Sequence, residues 1–189
     1  MRVIVLLLVC LYAAGATAQD ISKKMPQIAP GSTVTMQYNN GDTFTQRFLG
    51  KQPFPWGNKS YYVYETFTGQ GDQEPNHLVY TLKNGNAVYE MNPYGGVIRY
   101  VPHNCAREIG TCSYTRYLPD SNGEHFRRVT AIKPGGYKFS LFLIEESGNK
   151  RLQITGRATL DDMGIAKLRV FTVPDEDGFS IRMLRSNYK

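Results

Sequence analysis

Cysteine and tryptophan are scarce in this chain, with three Cys and one Trp in 189 residues. Three cysteines are too few for a disulfide scaffold, which needs a dense framework of bridges. Helical periodicity is nearly missing. Only Asp20 to Met25 and Ala106 to Ile109 could form single turns, which excludes helix bundles and α/β architectures. Long apolar runs are missing beyond the first eighteen residues, so no later segment reads as a transmembrane helix. Signature motifs are missing too: there is no G-x-S-x-G, H-E-x-x-H, Walker loop or dinucleotide fingerprint. Aromatic and hydrophobic residues, in contrast, are too abundant for a disordered chain, at 12% and 41%.

The apolar run that is present lies at the start. Arg2 is followed by Val3 to Tyr12 and then by the small-residue stretch Ala13 to Ala18. This is the charged, apolar and A-x-A order of a secretory signal peptide, and the run is shorter than the about 20 residues of a spanning helix. Val9 precedes Cys10 and the apolar run continues past it, which argues against a lipoprotein signal. The expectation is a signal peptide over 1–18, an N-terminal arm over 19–30 and a single β domain over 31–189 in a secreted or periplasmic protein. Loss of Arg2 lowers the formal charge from +6 to +5.

Glycine spacing carries the architecture. Glycines at 41, 57, 71, 85, 95, 110, 123, 135, 148, 164 and 178 recur at short, regular intervals. Several follow Asn or another Gly: Asn40-Gly41, Asn84-Gly85, Asn122-Gly123 and Gly135-Gly136. Asn-Gly between extended runs marks a hairpin, because a type I′ turn requires positive φ at both central residues. The runs between turns alternate with period two. Leu152, Ile154, Gly156, Ala158 and Leu160 oppose Arg151, Gln153, Thr155, Arg157 and Thr159. Phe139 to Ile144 is apolar on both faces, as in a strand covered on two sides. The pattern predicts an all-β antiparallel meander of about 10–12 strands forming a barrel, half-barrel or sandwich.

Cys105 and Cys112 remain after processing, and an exported chain with an even pair forms a disulfide. The closed loop is short, so its chain-entropy contribution is roughly 2.5 kcal/mol at most. Its expected role is to shape His103 to Tyr114. No catalytic residue stands out and no cofactor is implied. His77, His103 and His125 are scattered singly and would bind zinc only if the fold gathered them, so the metal expectation is none. Asp175-Glu176-Asp177-Gly178 lacks the spacing and downstream Glu of a calcium loop.

Binding surfaces are the stronger lead. Phe54-Pro55-Trp56-Gly57 precedes Tyr61, Tyr62 and Tyr64. On one strand, Tyr61, Val63 and Phe67 would face the core, and Tyr62, Tyr64, Thr66 and Thr68 would form an exposed or pocket-lining face. Residues 19–95 hold six basic and six acidic side chains, so the whole positive surplus lies in 96–189. Arg116, Arg127, Arg128, Lys133 and Lys138 fall in three consecutive strands and suggest a basic face. Export removes nucleic acid as the usual partner of such a face.

These features read as an exported, non-catalytic β-domain that binds an apolar or anionic cell-envelope ligand or a partner protein. Trp56, Tyr62, Tyr64, Arg127, Arg128 and Lys133 would supply the contacts, and a lipid, a glycan or an envelope protein would be the partner. Two other classes stand beside it: a hydrolase with a dispersed active site, and a structural or assembly factor of the cell envelope. An outer-membrane barrel ranks below these, given charged residues on both faces of several strands. A binding barrel calls for a large apolar cavity, whereas a hydrolase calls for a cleft where a His and a carboxylate converge.

Overall fold

The computed structural model describes residues 28–68, 74–92, 94–161 and 165–187. The signal-peptide expectation and most of the N-terminal arm lie outside them. Twelve strands follow in chain order: β1 (Thr33–Tyr38), β2 (Thr43–Pro53), β3 (Ser60–Thr68), β4 (His77–Thr81), β5 (Ala87–Met91), β6 (Val97–Val101), β7 (Gly110–Tyr117), β8 (Glu124–Lys133), β9 (Gly136–Ile144), β10 (Lys150–Leu160), β11 (Ala166–Thr172) and β12 (Phe179–Asn187). Each pairs antiparallel with its chain neighbours, and β1 pairs with β12 to close the barrel. Closure leaves no free sheet edge, which removes the usual route to edge-to-edge aggregation.

The expected turns sit at the hairpins. Gly41, Gly85, Gly135 and Gly148 have φ of 97°, 84°, 71° and 83°, conformations that a Cβ disfavours. Gly71 and Gly164 lie outside the described residues. At Gly156 the reason for glycine is close approach instead. A Cβ there would stand 2.5 Å from the Phe139 ring, so Gly156 opens the wall for that side chain.

Five bulges decide which residues face inward. Leu49 in β2, Val88 in β5, Gln153 in β10, Lys167 in β11 and Leu184 in β12 have no cross-strand partner. Each reverses the inside–outside alternation beyond it. In β11 this places Arg169 and Phe171 on the face that also carries Ala166, while Leu168 and Val170 pair with outward residues. In β10 Ile154, Gly156 and Ala158 face inward as expected, but the bulge turns Leu152 outward opposite Phe142. Among the described residues no second layer covers the two-sided apolar strand β9. Phe139 and Leu141 face the lumen, and Phe142 and Ile144 are half-buried on the outer side.

The core falls into three clusters. Two lie inside the barrel: Tyr137, Phe139, Ala158 and Ala166 form one, and Met36, Phe44 and Ile181 the other. The third joins Phe54, Tyr61, Val63, Tyr80 and Val88. Register puts it on the outer side of the wall, because Val63, Tyr80 and Tyr89 are cross-strand partners opposite the face of Tyr64, Val79 and Glu90. Tyr61 and Val63 are therefore buried, as expected, but not against the lumen. The β2–β3 connection folds over them, and Phe54 makes ring contacts with Tyr61, Tyr80 and Tyr89 at 5.6, 5.2 and 4.2 Å.

Candidate functional site: a lumenal cavity beneath a disulfide-held loop

Five inter-strand connections meet at the end of the barrel where β1 begins and β2 ends. One of them, the β6–β7 loop from Pro102 to Ile109, turns inward over that end. Its anchoring is a buried polar network. Asn86 is fully buried in the β4–β5 connection. Its Nδ2 donates to Glu108 Oε1 at 2.7 Å, and its Oδ1 accepts from the Arg107 backbone N–H at 2.7 Å. Asn104 Oδ1 accepts from the N–H groups of Ala87 and Ala106, and Asn104 N–H donates back to the Ala87 carbonyl. The side chains of Asn86 and Asn104 thus replace a strand ladder where the loop leaves the sheet.

The Cys105–Cys112 disulfide fixes the base of the same loop to the start of β7. Cys105 is fully buried with φ of 58°, a left-handed conformation unusual outside glycine. The turn Cys105 to Glu108, closed by a 3.2 Å hydrogen bond, carries Arg107 at its corner. Replacing both cysteines by Ser is expected to lower unfolding stability by about 2.5 kcal/mol or less, since only a short loop is released. Urea denaturation against the reduced and oxidised parent measures it.

Under this loop lies a cavity of about 300 Å³, the lower bound of small-ligand pockets. Its wall is mixed. Val34, Met36, Phe48, Val79, Phe139 and Phe171 give apolar surface, and Arg107, Arg128 and Arg169 give guanidinium groups. Arg128 Nε donates to Thr130 Oγ1 at 3.1 Å, and its Cζ stands 3.8 Å from the Phe139 ring centroid. This is a desolvated cation–π contact. Burial, reinforced by the nearby Arg169 charge, pulls both Arg107 and Arg128 below the ordinary guanidinium range. Arginine starts so high that both remain cationic at neutral pH.

Among the described lining residues the one carboxylate is Glu90. It is already engaged. The Tyr100 hydroxyl donates to its Oε1 at 3.0 Å, and His77 Nε2 lies 3.4 Å from its Oε2. Burial and the Glu90 charge raise the Tyr100 pKa well above the ordinary tyrosine range, so its phenol stays a donor. The opposite end is filled by Tyr114 stacked on Phe126 and by Arg116, which ion-pairs with Glu124 at 2.6 Å over the Phe126 ring.

Of the six contact residues suggested by sequence, Tyr64 and Arg128 line the cavity. Tyr62 shares the lumenal face and stacks on Phe48 at 6.3 Å. Arg127 faces outward opposite Phe142, Lys133 is exposed at the end of β8, and Trp56 is exposed beside Phe54. The suggested basic face is therefore divided by the pleat: Arg116 and Arg128 point inward, Arg127 and Lys138 outward. Arg107 and Arg169 were not singled out. Arg107 stands in a loop, and Arg169 follows a bulge that alternation alone does not locate. The histidines are separate: His77 faces Glu90, Nδ1 of His125 meets Thr115 Oγ1 at 2.9 Å, and His103 adjoins the disulfide. The one cluster of metal-ligand type among the described residues is His103 with Cys105 and Cys112, whose sulfurs are bonded to each other.

No protein-family model matches the chain, and no curated protein matches it. Among solved structures, a Bacteroides fragilis protein described as exported, with a YmcC-like fold, aligns at 10% identity and a TM-score of 0.41. The alignment covers 85% of this chain and 97% of that one. A likeness this remote bears on neither ligand nor location.

Proposed function

We propose that this chain is an exported, non-catalytic barrel that holds one small ligand with an apolar portion in its lumen. One observation supports the reading above the others: the 300 Å³ space is walled by strands on its sides and by the Arg107 loop at its end. An apolar lining joined by a few convergent polar groups is the common composition of ligand pockets. The disulfide and the leader-like sequence of residues 1–18 support an oxidising compartment. Native mass spectrometry of protein purified from its own host tests the reading. A bound mass lost on unfolding supports it. A bare chain mass at every preparation contradicts it.

The hydrolase reading keeps one observation in its favour, the His77–Glu90 pair with Tyr100 on the second carboxylate oxygen. A His oriented by a carboxylate is half of a nucleophile-activating arrangement. No Ser, Thr or Cys side chain is hydrogen-bonded to His77 among the described contacts. Turnover of chromogenic esters that disappears in His77→Gln would favour hydrolysis over binding.

A further inference from the structure

Three guanidinium groups meet in the lumen on three different elements: Arg107 on the β6–β7 loop, Arg128 on β8 and Arg169 on β11. Their positions are set by unrelated local causes. Arg107 is held by Asn86 and the disulfide loop, Arg128 by Thr130 and Phe139, and Arg169 by the Lys167 bulge that turns it inward. Arg169 lies close enough to disfavour the charges of both others. Concentrating like charges in a buried space is costly without a counter-charge. Within the wall Glu90 supplies one carboxylate, and it is occupied by Tyr100 and His77. Arg169 Nε is buried with no hydrogen-bond partner. The Tyr64 and Tyr137 side chains flank the group.

We propose that the arginines at 107, 128 and 169 form the recognition site for an anionic head group, a carboxylate or a phosphate monoester, whose apolar remainder lies against Met36, Phe48 and Phe171. This rests on the lumenal reading above and names the ligand class for the same cavity. Guanidinium forks match both oxyanions bidentately, and such charge-assisted bonds are about twice as strong as neutral ones. The head group adds counter-charge to that of Glu90, the one carboxylate among the described wall residues. The Phe139 ring and the Thr130 hydroxyl keep the Arg128 fork oriented for it.

Calorimetric titration of the disulfide-intact protein, washed free of amphiphile on a hydrophobic resin, tests the proposal. The probes are octanoate, octyl phosphate, 1-octanol and inorganic phosphate. The expected result is that octanoate and octyl phosphate bind at least about tenfold tighter than 1-octanol. Arg169→Met and Arg128→Met each remove about tenfold of that advantage and leave 1-octanol binding intact. The outward Arg127→Met leaves all affinities unchanged. Retained 1-octanol binding shows that a variant is folded. Equal binding of octanoate and 1-octanol overturns the anion site and leaves the lumenal reading standing. Inorganic phosphate binding as tightly as octyl phosphate supports the anion site and contradicts the apolar-ligand reading. Binding of none of the four overturns the anion site, and the native mass measurement then judges the lumenal reading by itself.

Discussion

Phe54→Ala is expected to destabilise the barrel by about 3–5 kcal/mol, the range for losing a buried aromatic. Phe54 is the one residue of its connection that enters the outer cluster, stacking on Tyr89 and meeting Tyr61 and Tyr80 edge-on. Without it, the outer faces of β3, β4 and β5 lose their cover. The substituted site cannot collapse inward, because the strands behind it are fixed by their own ladders. Phe54→Leu keeps most of the volume and should cost less, about 1–2 kcal/mol. Urea unfolding gives both values. Trp56 is the single tryptophan and packs edge-on against Phe54, so its fluorescence reports the flap directly. A loss below about 1 kcal/mol for Phe54→Ala would mean that the flap does not hold the cluster.

Asn86→Ala carries the second large effect, about 2–4 kcal/mol, because it removes a fully buried amide and leaves two half-buried partners unmet. The Arg107 N–H loses its acceptor, and the Glu108 carboxylate loses its 2.7 Å donor. Asn84 Nδ2, at 3.3 Å from the same carboxylate oxygen, offers only partial compensation. The disulfide still tethers the loop at Cys105, so the variant should fold with a loosened turn rather than a detached one. Its consequence reaches the cavity, since the corner that loosens carries Arg107. Chemical denaturation measures the stability loss, and octanoate affinity should fall in the same variant. Full stability in Asn86→Ala would contradict the network as the anchor of the loop.

Much of the architecture was legible because its causes are local. Asn-Gly and Gly-Gly steps demand positive φ, and those at Gly41, Gly85 and Gly135 adopt it at hairpins. Strict alternation marks a strand wherever one face is buried, which is why β1 and the inner run of β10 could be read from their residues. Closure was not legible. It depends on β1 pairing with β12, a contact between the two ends of the sheet that no local pattern encodes. Facing was legible only between bulges. Lys167 is one extra residue, and it exchanges which of Arg169 and Leu168 enters the lumen. At β3 burial was legible, but the side of the wall was not: Tyr61 and Val63 are buried by a flap outside the wall, and Tyr64 lines the cavity.

The candidate site was half legible for the same reasons. Arg128 and Tyr64 were visible as a basic residue and a tyrosine on strands. Arg107 gains its place from a loop folded back by Asn86, and only three-dimensional structure relates those two segments.

The central claim is that ligand enters the lumen beneath the 102–109 loop. Hydrogen exchange followed by mass spectrometry, with and without saturating octanoate, tests it most directly. The account predicts slowed exchange in the segments around Asn86 and Arg107 and at the inner ends of β8 and β11, with the outer flap at Trp56 unchanged. Protection confined to the Trp56 flap, or to the outer groove of β8 to β11 lined by Val129, Ser140 and Val170, would contradict it.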